Sequence, residues 1–370
     1  MTARFAFRTD SSLQIGSGHV MRCLTLADAL EAQGADCHFF SREHRGHLLE
    51  VIRQRGHAVT SLPAASPQPV VDTKRESAGG PSHAEWLGCD WQTDARQTGA
   101  ILADLRPDWL AVDHYALDRR WEEAMAPHCR KLMVIDDLAD RPHRCDLLLD
   151  QNLGRRAEHY AALVPAHCKL LIGPGYALLR PEFAALRPHS LQRRQTQPVV
   201  REVLVAMGGV DQGNATGLVL QALKDCALPP DSRITVVMGL AAPWLQDVRE
   251  RAAQMPWPTE VVVNAGDMAR RMAESDLAIG AAGSSSWERC CLGLPTVMVV
   301  VADNQRLAAE ALGEIGAGRV IQGVQDILDR LPALVNAMIS SPLDRDAMSV
   351  AAAGVADGRG VSTVIHQLES

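Results

Sequence analysis

The sequence predicts an α/β fold made of two doubly wound, Rossmann-like domains in tandem. Three observations carry that prediction. A chain of 370 residues is long enough for two medium domains, each with its own core. Short β-rich runs alternate with helical periodicity in both halves. A polar stretch with two prolines, "RPHSLQRRQTQPVV" over 187–200, interrupts the pattern and reads as a linker, giving expected domains of 1–190 and 191–370. Two open α/β sheets in tandem leave a cleft at the carboxyl ends of their strands, where ligands of such folds bind.

In the first half, "RFAFR", "ADCHFF", "DWLAVDH" and "KLMVIDD" read as strands, and amphipathic stretches separate most of them. The stretch "AASPQPVVDTKRESAGGPSHAEW" over 64–86 is rich in Pro, Gly and Ser, lacks a clear period and reads as a long surface loop. In the second half the strands are "EVLVAMGG", "RITVVMG", "EVVVNAG", "LAIGAAG" and "PTVMVVV". Beyond about Gln322 the chain reads as helical, either closing the second domain or crossing back to the first.

Composition narrows the function. A formal charge of −7 without a dense Lys/Arg block argues against a nucleic-acid partner. No apolar run approaches the roughly 20 residues of a membrane helix, and the start is polar, so a cytoplasmic, non-inserted protein is expected. The nine cysteines are odd in number and scattered, which suits reduced thiols. No C-x-x-C or H-E-x-x-H occurs, so neither a metal nor another cofactor is expected.

Three glycine turns follow predicted strands: Gly16-Ser17-Gly18, Gly208-Gly209, and Gly283 with Ser284, Ser285 and Ser286. Glycine lets backbone approach an oxyanion, and the next helix offers free N–H groups and the positive end of its dipole. A diphosphate can be held that way without lysines or a metal, although glycines after strands also serve plain tight turns. Neither the dinucleotide fingerprint nor the P-loop is present, since Met21 stands where a third glycine is wanted and no G-K-[ST] occurs. Glu288 falls in the first turn after the serines, where it suits either the helix dipole or two vicinal ribose hydroxyls. Asp303, Asn304 and Gln305 end a very apolar strand, placed for a ligand or for N-capping.

In "QIGSGHVMRCLTLADALEAQG", Val20, Cys23, Leu24 and Ala27 follow the i, i+3, i+4, i+7 rule, so a helix begins near His19 and ends near Gly34. His19 then stands in the first turn, where a general base is physically reasonable. A second strand end brings Asp113, His114 and Tyr115 to the same sheet edge, to orient the base, bind substrate or cap the next segment. A third offers Asp150, Asn152, Arg155 and Arg156.

Together, "FRTDSSLQIGSGHVMRCLTLADAL", "VDHYALDRRWE", "CDLLLDQN", "LIGPGYALLRPEF", "MGGVD" and "AAGSSSWERCCLGLPTVMVVVADNQ" resemble the PseG family. These are UDP-2,4-diacetamido-2,4,6-trideoxy-β-L-altropyranose hydrolases of pseudaminic acid biosynthesis. The motifs occur in order up to about residue 320. The resemblance implies a GT-B-like architecture related to the enzyme that adds GlcNAc to lipid I, with UDP on the C-terminal domain and the sugar facing the N-terminal one. It implies His19 as the catalytic base with Tyr115 beside it. Gly208, Gly209, Gly283 and Ser284 to Ser286 would hold the diphosphate, and Glu288 the ribose. Asn304 and Gln305 would face the sugar, and from their place at the first domain's polar edge Gly16, Gly18, Asp113 and Asn152 are expected to face it as well.

The expected reaction is metal-free hydrolysis at the anomeric carbon with inversion, by a monomer acting on a small-molecule UDP-sugar. UDP leaves readily, so one base activating water suffices and no pair of carboxylates is needed. A GT-B glycosyltransferase with the same donor, or a non-catalytic UDP-sugar-binding protein, are the alternatives. The 64–86 loop and the tail beyond about Val350 match no part of the family.

Overall fold

A computed structural model of the chain describes residues 2–64, 80–196 and 199–369. It divides into two units. The first comprises Met1–Gln151, Arg155–Leu178 and Ser362–Ser370; the second comprises Asn152–Gly154 and Leu179–Val361.

The first unit holds a parallel sheet of β1 (Arg4–Thr9), β2 (Asp36–Arg42), β3 (Ala58–Leu62), β4 (Trp109–Asp113), β5 (Lys131–Ile135), β6 (Leu147–Asp150) and β7 (Lys169–Ile172), in the order β3-β2-β1-β4-β5-β6-β7. Its inner strands are apolar almost throughout, as strands covered by helices on both faces must be. Ala6, Leu110, Val112, Leu132, Val134 and Leu148 pack with Trp121 on one face. Phe7 and Phe39 stack at 4.8 Å.

The second unit repeats the plan with β8 (Glu202–Ala206), β9 (Arg233–Met238), β10 (Thr259–Val263), β11 (Leu277–Ala281), β12 (Thr296–Val299) and β13 (Arg319–Ile321), in the order β10-β9-β8-β11-β12-β13. Val203, Val205, Ile234, Val236, Ile279 and Val297 form its core with Val219 and Val335 from helices. The α/β prediction with two doubly wound parallel sheets holds.

The strand order reverses once in each sheet, between β1 and β4 and between β8 and β11. At such a reversal the connections from adjacent strands leave in opposite directions and open a crevice at the carboxyl edge. Thr9 and Asp113 are register partners at the first reversal, and Ala206 and Gly280 at the second.

Residues 187–196, expected as linker, instead continue the helix Pro181–Thr196, with Pro188 inside it. Their polarity has a structural use. Arg187 donates to the carbonyls of Cys291, Ala353 and Ala356, and Arg194 to those of Leu292, Ser275 and Met272, so the helix is fastened to the second unit by its guanidinium groups. Buried carbonyls need donors, and arginine supplies several at fixed angles. Of the expected 64–86 loop, 65–79 lie outside the described residues, while Ala84–Leu87 form a 3-10 turn. The C-terminal stretch does both things that its sequence allowed. Helices Ile327–Ser340 and Pro342–Ala353 belong to the second unit, and residues from Ser362 to the first, where the Trp109 indole N–H donates to the Leu368 carbonyl at 3.1 Å.

Helix Gly18–Glu31 is tied to the turn before β3 by His57, whose Nε2 lies 2.7 Å from Asp28 and Nδ1 2.8 Å from Glu31. Burial disfavours the charged ring, but the two carboxylates outweigh it and raise the His57 pKa. A raised folded-state value stabilises the fold fully below the unfolded histidine value and loses that contribution as pH rises through the folded one. His57→Gln is therefore expected to lower the melting temperature most in mildly acidic buffer, with the gap to the parent narrowing above neutrality. Melting curves across pH 5 to 9 check this, and a gap that widens with pH would contradict it.

Candidate functional site

The first crevice is built by the turn between β1 and helix Gly18–Glu31. The Ser12 hydroxyl accepts from the N–H groups of Gln14 and Ile15, and Gly16 donates back to the Ser12 carbonyl at 2.9 Å. Gly16 has φ +81°, a conformation that glycine adopts without strain, and a Cβ there would meet nothing within 4 Å. Backbone conformation, and not lack of room, demands that glycine. Gly18 is exposed at the first position of the helix.

His19 follows and is 7% exposed. Its Nδ1 lies 2.5 Å from Asp113 Oδ1. Arg22, one turn further along the helix, grips the same carboxylate with two donors, Nε at 2.6 Å and Nη2 at 2.7 Å, and reaches Asp137 with Nη1 at 2.8 Å. Burial would protonate Asp113, but the Arg22 guanidinium and His19 hold its carboxyl well below the usual carboxylate range. An ionised Asp113 can only accept. In the neutral ring Nδ1 must therefore carry the proton, which leaves Nε2 as the basic nitrogen. Nε2 has no hydrogen-bond partner among the described residues.

The expected place of Asp113 among the sugar contacts is corrected by its burial. It is fully enclosed and its oxygens serve His19, Arg22 and the Cys23 thiol, so it stands behind the base. Tyr115 stands edge-on to His19, with ring centroids 4.6 Å apart at 84°. Its hydroxyl donates to Asp137 at 2.7 Å, and burial with that carboxylate pushes its pKa well up, so it stays a phenol. His114 turns away from His19, placing Nε2 3.2 Å from buried Asp10 while Nδ1 accepts from the Ala116 N–H.

At the third strand end, Asp150 is buried between Arg155 and Tyr160, and Arg156 is exposed. Asn152 is half-buried and groups with the second unit.

The sequence motifs do not single out Arg22, whose one signal is its spacing of three from His19 on one helix face. Nor do they single out Trp86 and His83, at the end of the unperiodic loop. Trp86 stacks on Tyr115 at 5.6 Å, and His83 packs against both rings.

In the second unit, Gly208 and Gly209 are exposed after β8, and Gly208 has φ +102°. A Cβ on Gly239, after β9, would come within 2.0 Å of the Gly209 carbonyl oxygen, so the two turns touch backbone to backbone. The N–H groups of the helix after this turn, expected to be free, are occupied. Ala215 and Thr216 donate to Asp211 at 2.9 Å each, and Gly217 to Asn214 at 3.1 Å. Only the glycine turn itself remains open there to an anion.

The second turn differs. Ser284 caps helix Ser285–Cys291 without using its side chain. Ser285 and Ser286 are both held from below by Arg289. The Gln305 side chain accepts from Val301 N–H at 3.1 Å, and its Nε2 would lie 3.5 Å from a Cβ on Gly283. Gln305 is thus brought beside the serine turn, while Asn304 is exposed next to it. Glu288 is half-buried, and burial raises its pKa against the opposing pull of Arg180. Among the described residues no cluster of His, Cys, Asp or Glu is arranged to hold a metal ion, and no helix is long and apolar enough to cross a membrane. All nine cysteines are free.

Residues 203–363 match the glycosyltransferase family 28 C-terminal domain. Over 84% of its length the chain is 26% identical to the UDP-2,4-diacetamido-2,4,6-trideoxy-β-L-altropyranose hydrolase of Campylobacter jejuni, covering 96% of that protein. It is 23% identical over 82% of its length to an uncharacterized protein of Methanocaldococcus jannaschii, of which it spans 57%. The crystal structure of Acinetobacter baumannii MurG superposes with a TM-score of 0.69 at 15% identity, over 100% of this chain and 99% of that one. The resemblance to the PseG family and the GT-B-like fold both stand.

Replacing Asp113 by Asn removes the charge that holds the Nδ1 proton, and Arg22, which donates to both carboxylate oxygens, then competes with His19 for the single amide oxygen. Asp113→Asn is expected to move the neutral ring's proton from Nδ1 to Nε2. Nitrogen shifts of 15N-labelled histidine check this, and an unchanged Nδ1–H signal would refute the arrangement.

Proposed function

We propose that this chain hydrolyses a UDP-linked 2,4-diacetamido-2,4,6-trideoxy sugar, UDP-2,4-diacetamido-2,4,6-trideoxy-β-L-altrose, with inversion at the anomeric carbon. The observation that carries the reading is the pairing of His19 with ionised Asp113, which leaves Nε2 as an acceptor without a partner among the described residues. Water gives its proton to Nε2 as its oxygen bonds to C1, and the C1–O bond breaks with its electron pair leaving on UDP. Asp113 steadies the imidazolium that forms, while Arg22 prevents the carboxylate from turning. Tyr115 closes one side of the ring. The Gly208–Gly209 and Gly283–Ser286 turns take the departing diphosphate, and Glu288 takes the ribose hydroxyls. Asn304 and Gln305, with Gly16, Gly18 and Asn152, are assigned to the sugar side. The sugar itself comes from the similarity to the Campylobacter hydrolase. Action as a cytoplasmic monomer without a metal belongs to the same reading.

The family 28 domain favours a second reading, transfer of the sugar from UDP to an acceptor other than water. Incubation with the UDP-sugar and no acceptor, followed by NMR of the anomeric proton and of UDP, separates the two. Prompt UDP release with an inverted free sugar supports hydrolysis, and an intact nucleotide sugar refutes it.

His19→Ala is expected to lose at least about 10²-fold in kcat while UDP affinity stays within about twofold. An unchanged kcat would remove His19 from the mechanism. Asp113→Asn is expected to lose about 10²- to 10⁴-fold in kcat with KM little changed, because the defect lies in proton acceptance and not in binding.

A further inference from the structure

Arg289 occupies an unusual position for a cation. It is 2% exposed, and no carboxylate lies within salt-bridge distance of it among the described residues. The buried arginines near His19 are paired: Arg8 with Asp10 and Asp94, Arg22 with Asp113 and Asp137. Buried Arg194, in the second unit, spends its donors on three carbonyls and the Ser190 hydroxyl. Arg289 instead folds back toward the N-terminus of its own helix, Ser285–Cys291, where the helix dipole is positive and repels it. Its Nε has no partner among the described residues. Burial lowers its pKa to about 10 against the pull of neighbouring Glu288, which makes no salt bridge with it, and still leaves it charged at neutral pH.

The surroundings make room for this charge. A Cβ on Gly280 would lie 2.6 Å from Arg289 Nη1 and 3.0 Å from the Ala206 carbonyl oxygen. Glycine inside a strand weakens it, so its presence in β11 marks a close approach. The guanidinium therefore sits at the reversal between β8 and β11, under the strand ends that lead to both glycine turns. Nη1 donates to Ser285 Oγ at 3.0 Å, and Nη2 to Ser286 Oγ at 2.9 Å and to the Ala281 carbonyl at 2.8 Å. A serine oxygen that accepts from arginine must aim its own O–H elsewhere. Half-buried Ser285 is thereby made a donor toward whatever occupies the turn.

Buried charge, adverse dipole and the oriented Ser285 hydroxyl share one remedy, an anion on the serine turn. We infer that Arg289 is a positioning residue for the diphosphate, supplying its counter-charge through the Ser285 hydroxyl without touching it. This rests on the proposed nucleotide site and deepens it, since it assigns the positive charge that glycines and serines alone do not provide.

The test is calorimetric titration of the full chain and its Arg289→Gln and Arg289→Lys variants with UDP and, separately, with uridine. Uridine shares the base and ribose contacts but carries no phosphate. Arg289→Gln is expected to weaken UDP about tenfold or more while uridine changes by less than about twofold, and Arg289→Lys to recover much of the loss. Equal weakening of both ligands would show a merely structural role and overturn the inference, as would unchanged UDP affinity. If the parent binds uridine and UDP equally, the inference fails while a nucleoside site survives; if it binds neither, the nucleotide reading fails first. Should Arg289→Gln not fold, Ser285→Ala carries the test, with the same selective loss of UDP expected and an unchanged affinity overturning the inference.

Discussion

Each sheet of this protein reverses its winding once, and the placement of the His19–Asp113 pair and of the glycine turns after β8 and β11 depends on that constraint. All strands are parallel, so their carboxyl edges lie together, and helices cover both faces. Only where the order reverses do the outgoing connections diverge and leave backbone uncovered. In the first unit the divergence lies between β1 and β4, which brings His19, from the turn after one strand, onto Asp113 at the end of the other. In the second it lies between β8 and β11, whose ends carry the two glycine turns. The same topology produces a proton acceptor in one unit and an anion-ready turn in the other, because different residues were set at equivalent edges.

The electrostatics of the two edges differ in kind. Around β1 and β4, buried charges are paired almost to completion: Arg22 bridges Asp113 and Asp137, Arg8 bridges Asp10 and Asp94, and Arg42 joins Asp94. Removing a partner from such a network strands a charge, so it holds its geometry firmly. That rigidity is what fixes the His19 tautomer. Under the serine turn, Arg289 makes no salt bridge among the described residues and donates instead to the Ser285 and Ser286 hydroxyls. One edge is neutralised internally and held still. The other holds a buried guanidinium whose partners are hydroxyls and a carbonyl.

Much of this is legible in the chain alone. Alternating apolar runs and helical periods give a parallel α/β fold, because a strand buried on both faces must be apolar and a covering helix must show one apolar stripe. Three short strands, β3, β7 and β13, escape that pattern, and all three lie at sheet edges, where the apolar signal is weakest. Residues 187–196 look like linker because arginine and serine usually mark solvent, and here they feed buried carbonyls of the second unit.

The sequence by itself determined the two doubly wound units, the first-turn position of His19, and the glycine turns after β1, β8 and β11. These depend on local periodicity and on backbone needs that each residue carries with it. Only the tertiary structure decided that Asp113 serves the ring, that Asp211 and Asn214 fill the helix amides after Gly208–Gly209, and that Arg289 makes no salt bridge among the described residues. Those facts concern which side chains meet across long sequence separations, and whether a buried charge finds a partner is a property of packing that no local pattern encodes.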